Sequence, residues 1–166
     1  MKNPTLLKEM LHYHGRDEMP DDFDTFWNKQ VAEVEVPQDY QLLEKDFQIA
    51  YATCYELTFK TGNGGQIYAK LVVPKLSEKV PVLFHFHGYM GQGWDWSDML
   101  AYTAAGWGVV SMDVRGQSGY SLDGNREVRG NTVKGHIIRG ALDGPDQLFF
   151  KDVYLDVYTL VELVAG

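Results

Sequence analysis

Hydrophobic spacing changes period several times along the chain, and each change predicts an element. Leu6, Leu7, Met10 and Leu11 fall at helical intervals, predicting a short N-terminal helix that Gly15 breaks. A second helix is expected after Pro20, with Asp21 or Asp22 as its cap. Its stripe is Phe23, Phe26, Trp27, Val31 and Val34, and Pro37 ends it. From about Cys54 the period drops to two. Tyr55, Leu57 and Phe59 alternate with polar neighbours, and Ile67, Ala69, Leu71 and Val73 alternate again up to Pro74. Gly62-Asn63-Gly64-Gly65 between them supplies positive-φ residues, so the two runs read as an antiparallel hairpin at a sheet edge.

Val80 to Phe86 is a nearly continuous apolar run, as in a strand buried on both faces. A glycine-rich loop, Gly88 to Gly93, leads into a helix expected over Trp96 to Ala105 and closed by Gly106. Val109 to Met112 reads as a second buried strand ending at Asp113. About 30 residues without clear period follow, Gly116 to Pro145, long enough for a functional connection. A final helix is expected from Gln147 to Ala165, its buried stripe being Phe149, Val153, Val157, Leu160, Val161 and Val164. Lys151, Asp152, Asp156 and Glu162 fall elsewhere on it.

A hairpin, then strand, helix, strand, long loop and helix, is an α/β order, with the two apolar strands parallel across a right-handed crossover. With no linker or repeat, residues 1–166 read as one unit: a helical extension over 1–37, then a sheet that starts at 38 and lacks the strand expected after the last helix.

Composition narrows the function. Fifteen basic against 23 acidic residues give a net charge of −8, which disfavours binding to nucleic acid or anionic membrane. The single cysteine, Cys54, cannot form an internal disulfide and reads as inert. No apolar run reaches membrane-spanning length, and the N-terminus lacks a signal-peptide core, so a reduced cytoplasmic setting is expected.

Several residue groups could carry chemistry. His85 and His87 share a strand face, but a closed zinc site wants three or four ligands and no cluster completes the set; no metal is expected. Gly91 and Gly93 are followed by Trp96 where a dinucleotide fingerprint needs glycine, so no cofactor is expected. His87-Gly88 at a strand's carboxyl end, followed by Tyr89-Met90-Gly91, suits a backbone amide brought close to a developing alkoxide. Asp113-Val114-Arg115-Gly116-Gln117 suits a loop tie, its carboxylate and guanidinium satisfying turn amides and carbonyls, more than direct chemistry. Ser118 and Ser121 are rejected as nucleophiles, because Tyr120 breaks the Gly-x-Ser-x-Gly pattern and no helix follows. Asp21 and Asp22 read as a cap, and His12 and His14 as surface residues. His136, Arg139 and Asp143, around the apolar pair Ile137-Ile138, suggest packing against a neighbour or the wall of a pocket.

In this order the pieces resemble the acetyl xylan esterase and cephalosporin C deacetylase family of carbohydrate esterases, within the α/β-hydrolase fold. Pro20 to Trp27 resembles its entry helix, His87-Gly88-Tyr89 with Gly91 its oxyanion loop, and Asp113 to Gln117 its Asp-x-Arg-Gly-Gln signature. Gly140-x-Leu142-Asp143 before an aromatic-led helix containing Asp156 resembles the stretch preceding its nucleophile. The resemblance implies a serine esterase acting on acetylated xylo-oligosaccharides and related small acetyl esters, often a hexamer built as a trimer of dimers. It assigns half of the oxyanion hole to the Tyr89 main-chain N–H, a border of the acetyl pocket to the Tyr89 ring, and loop structure to Asp113, Arg115 and Gln117. The family's serine, aspartate and histidine come later in chain order, so this chain is expected to be the N-terminal half and inactive alone. Another α/β-hydrolase, a peptidase or dienelactone-type enzyme, remains an alternative. So does a non-catalytic assembly module.

Overall fold

In the computed structural model, residues 4–124 and 136–166 are described. The chain divides into two compact units, Met1–Glu33 and Val34–Gly166. The first carries helix α1 (Pro4–Leu11), whose Leu6, Leu7, Met10 and Leu11 are all exposed, and helix α2 (Phe23–Ala32). Asp22 does sit at the start of α2, where its carbonyl accepts the Phe26 N–H at 2.8 Å; its side chain makes no capping bond. Trp27 packs edge-on against both Phe23 and Phe26.

Alternation in the second unit produces a five-stranded sheet. Its strands are β1 (Tyr40–Lys45), β2 (Ala52–Lys60), β3 (Gln66–Pro74), β4 (Val82–Phe86) and β5 (Gly108–Asp113), in the order β1-β2-β3-β5-β4. β2 and β3 are the expected antiparallel hairpin, and β4 and β5 are parallel, in register from Val82↔Gly108 to Phe86↔Met112. Two expectations need correction. The hairpin does not lie at the edge, because β1 pairs antiparallel outside β2. β4 is not buried on both faces: among the described residues it pairs only with β5, its first four residues are half-buried and Phe86 is exposed.

The two faces of the sheet hold separate cores. Leu57, Phe59, Ile67, Ala69, Leu71, Val110 and Met112 meet Leu160 of α4 (Phe149–Ala165) on one face. Ala52, Cys54, Val72 and Val109 meet Met99 of α3 (Trp96–Thr103) on the other. Helices therefore cover both faces, as the element order implies. Gly106, with φ +91°, closes α3 by donating to the Thr103 carbonyl at 2.9 Å. No helix of the described residues is long and apolar enough to cross a membrane. Of the long connection, residues 125–135 lie outside the described residues, while His136–Ile138 and Pro145–Gln147 form single 3₁₀ turns.

Candidate active site

Parallel pairing of β4 with β5 brings their carboxyl ends together, and the loops that leave them interlock through side chains. The loop after β4 runs from His87 to Trp94. Met90 takes the left-handed conformation there, with φ +57°, which is costly for a non-glycine residue. Both main-chain groups of Met90 are held from the β5 loop. Its N–H donates to Gln117 Oε1 at 2.6 Å, and its carbonyl accepts from Ser118 Oγ at 2.9 Å. Gly91 turns back onto the Gly88 carbonyl at 2.9 Å, leaving no room for a side chain: a Cβ there would lie 2.9 Å from that oxygen.

His87 is committed to the same scaffold. Its Nε2 accepts the Val114 N–H at 2.9 Å, so the proton belongs on Nδ1, which donates to the Gly88 carbonyl at 2.8 Å. His85 is committed too. Its Nδ1 bonds Ser111 Oγ at 3.0 Å, and its ring stacks on Trp94 with centroids 3.9 Å apart. Burial, and secondarily His87, hold the His85 pKa below its ordinary value. Ser111 and His85 form a hydroxyl–imidazole pair, but Ser111 is 1% exposed and its oxygen already accepts the Trp94 N–H at 2.8 Å. A substrate carbonyl could not reach it. Among the described residues no group of three or more metal-binding side chains is present.

Asp113 ties the two loops. One carboxylate oxygen accepts the Gly93 N–H at 2.6 Å and the other the Tyr120 N–H at 2.9 Å. Ser121 donates to the Asp113 carbonyl at 2.5 Å and accepts the Tyr68 N–H at 2.8 Å. Both rejected serines thus serve as backbone ties.

Arg115 works differently from the sequence expectation. It is fully buried and binds side chains rather than turn carbonyls. Nε and Nη2 grip Asp156 of α4 at 2.6 and 2.5 Å, and Nη2 also donates to Asn63 at 2.6 Å and Thr61 at 3.1 Å in the β2–β3 turn. Asp152 lies 3.7 Å from Nη1. Burial favours a neutral arginine, but the bonds and charge of Asp156, then Asp152 and Asp123, outweigh it and raise the pKa. Burial pushes the Asp156 carboxyl up to about 6 against the pull of Arg115. The helical stripe predicted for α4 left Asp156 out, yet it is entirely buried. The signal was present: positions 149, 153, 156 and 160 follow helical spacing, and only the charge argued against burial.

A solvent-open cavity of about 240 Å³ lies between these loops and α4. Gly88, Tyr89 and Gln117 line it from the sheet end, and Phe149, Val153 and Val157 from the helix. Tyr89 is half exposed, and among the described residues nothing accepts a hydrogen bond from its main-chain N–H. Ile137 also lines the cavity, as expected of the apolar pair, whereas Ile138 is exposed. Arg139 pairs with Asp123 at 2.5 Å and lies over the Phe149 ring, and Asp143 is exposed. No side-chain placement is described for His136.

None of the curated proteins matches this chain. Solved structures do, two acetyl xylan esterases among them. Acetyl xylan esterase 1 from Thermoanaerobacterium sp. JW/SL YS485 is 43% identical with a TM-score of 0.86, over 96% of this chain and 50% of that one. The acetyl xylan esterase from Paenibacillus sp. R4 is 26% identical with a TM-score of 0.79, over 95% and 51%. The fold is therefore that of the N-terminal part of these enzymes, and the chain spans about half their length. The acetyl xylan esterase (AXE1) description matches residues 1–166, and the chain belongs to that family.

Proposed function

We propose that this chain supplies the oxyanion side of a serine esterase that removes acetyl groups from acetylated xylo-oligosaccharides and related small esters of the cephalosporin C type. One observation carries the reading. The Tyr89 main-chain N–H is unpaired among the described residues, at the wall of a cavity, in a loop whose next residue is clamped on both sides. A fixed, unpaired amide is what a tetrahedral intermediate requires of its first hydrogen-bond donor.

In the proposed reaction a serine from the remainder of the enzyme attacks the acetyl carbonyl, and a histidine oriented by an aspartate takes the serine proton. Negative charge gathers on the carbonyl oxygen, where the Tyr89 N–H and a second amide receive it. Water then hydrolyses the acetyl-enzyme. The apolar wall of Phe149, Val153 and Val157 suits the acetyl methyl and keeps water away. Asp113, Arg115 and Gln117 hold the loops in place through their hydrogen bonds.

The 166 residues alone are proposed to be inactive. Ser111, Ser118 and Ser121 are each engaged in structural hydrogen bonds, and neither His85 nor His87 is free to act as base. The exposed apolar residues of α1 suit an interface in a hexameric assembly, and the single buried thiol suits a reducing cytoplasm. Acetate release measured side by side tests the proposal. The full-length polypeptide should deacetylate acetylated xylo-oligosaccharides and spare aminoacyl substrates, while the 166-residue chain should not exceed an albumin control. Activity of the short chain, or a preference for aminoacyl substrates, would overturn it.

A further inference from the structure

A second cavity, of about 470 Å³, lies on the α3 side of the sheet, opposite the face that α4 covers. The loop after β4 separates the two: Tyr89 lines the apolar cavity and Gln92 this one. Its floor is built from Glu56 and Lys70, direct partners across β2 and β3, and from Tyr68. These polar groups are held in place. The Tyr68 hydroxyl donates to Glu56 Oε1 at 3.0 Å, and Lys70 Nζ donates to the Trp94 carbonyl at 2.9 Å while lying 5.6 Å from the Trp96 ring centroid. The Tyr120 ring packs on Tyr68 with centroids 5.1 Å apart and remains 54% exposed. Exposed Gln92 and Asp95 complete the rim, and the Asp95 side chain does not cap α3 although it stands at the cap position.

We infer that this cavity is a saccharide-binding site separate from the esterase centre, taking neutral sugar rings of a xylan-like chain. The volume falls in the range of small-molecule sites, and the lining sets the aromatic rings of Tyr68, Trp96 and Tyr120 among polar and charged side chains. An exposed aromatic ring offers a flat apolar surface to the C–H face of a pyranose. Fixed acceptors on Glu56 and donors on Lys70 suit the ring's hydroxyls, each of which donates and accepts. Charge disfavours an anion, which would face Glu56, Asp95 and Asp113; a cation is the competing class, tested by titration with spermidine.

The test uses the full-length polypeptide labelled with fluorotryptophan and titrated with unacetylated xylotetraose, which offers no ester to hydrolyse. The Trp96 fluorine resonance is expected to shift and saturate. Tyr120→Ala should weaken that binding about tenfold. Gln92→Ala, at an exposed position, should weaken it less and guards against a folding defect in the first variant. An unmoved Trp96 resonance, affinities unchanged in both variants, or tighter binding of spermidine at the same resonance would overturn the inference. Because the readout is binding at Trp96, it stands or falls independently of acetate release.

Discussion

Gln117 Oε1 accepts the Met90 main-chain N–H at 2.6 Å, so the signature loop of β5 fixes the backbone of the loop leaving β4. Met90 would not hold φ +57° without such a partner, and the peptide it shares with Tyr89 is oriented by this bond. The run Asp113-Val114-Arg115-Gly116-Gln117 is thereby a set of ties: Asp113 and Gln117 hold Gly93 and Met90 of the loop after β4, and Arg115 holds Asp156 of α4.

Replacing that acceptor should affect turnover more than binding. In the full-length polypeptide, Gln117→Ala is expected to lower kcat on an acetyl ester by about 100-fold, with KM within a few-fold of the parent. A KM rise at unchanged kcat would mean that Gln117 contacts the ground-state substrate instead.

The Arg115–Asp156 pair is buried and bidentate, so breaking it from one side strands a charge. Asp156→Asn should destabilise the fold by about 3–5 kcal/mol. The double variant Arg115→Met with Asp156→Leu should lose less than that single change. Chemical denaturation of the three proteins measures this, and a double variant weaker than Asp156→Asn would contradict the assignment.

Two glycines of one turn should respond differently. A Cβ at Gly65 would lie 2.3 Å from Arg115 Nη2, whereas one at Gly62 meets nothing within 4 Å. Gly65→Ala should therefore cost about 1–3 kcal/mol and Gly62→Ala almost nothing, read as thermal midpoints.

These contacts also mark what the sequence made legible. The β2–β3 hairpin announced itself because one face of its strands carries the alternating apolar run Leu57, Phe59, Ile67, Ala69 and Leu71, while the other face mixes apolar with polar positions such as Glu56 and Lys70. β1 left no such trace: five of its six residues are exposed, and Leu42 and Leu43 are adjacent, so no period-two pattern forms. The run from Val80 read as fully buried because composition reports hydrophobicity, not the number of partners a strand has in this chain. The site loops were recognisable from His87-Gly88-Tyr89 and Asp113 to Gln117. The partners were not, since hydrogen bonds such as Arg115 to Asn63 span residues far apart in sequence.

Acid should loosen the β4 end through His85. Its folded-state pKa lies below the ordinary 6.5, mainly through burial, so the folded chain binds this proton less readily than the unfolded chain. The stability linked to His85 is complete above about pH 6.5 and is lost as pH falls through the lower folded value. His85→Gln should therefore lose less stability than the parent between pH 7 and pH 5, and an equal loss in both would remove His85 from the account.

The most direct measurement is a crystal structure of the full-length polypeptide carrying a methylphosphonyl adduct on its nucleophile, a stable imitation of the tetrahedral intermediate. The account predicts a phosphonyl oxygen 2.7–3.1 Å from the Tyr89 nitrogen, the spacing of an oxyanion donor. A Tyr89 N–H bonded to a protein carbonyl, or directed away from that oxygen, would contradict it.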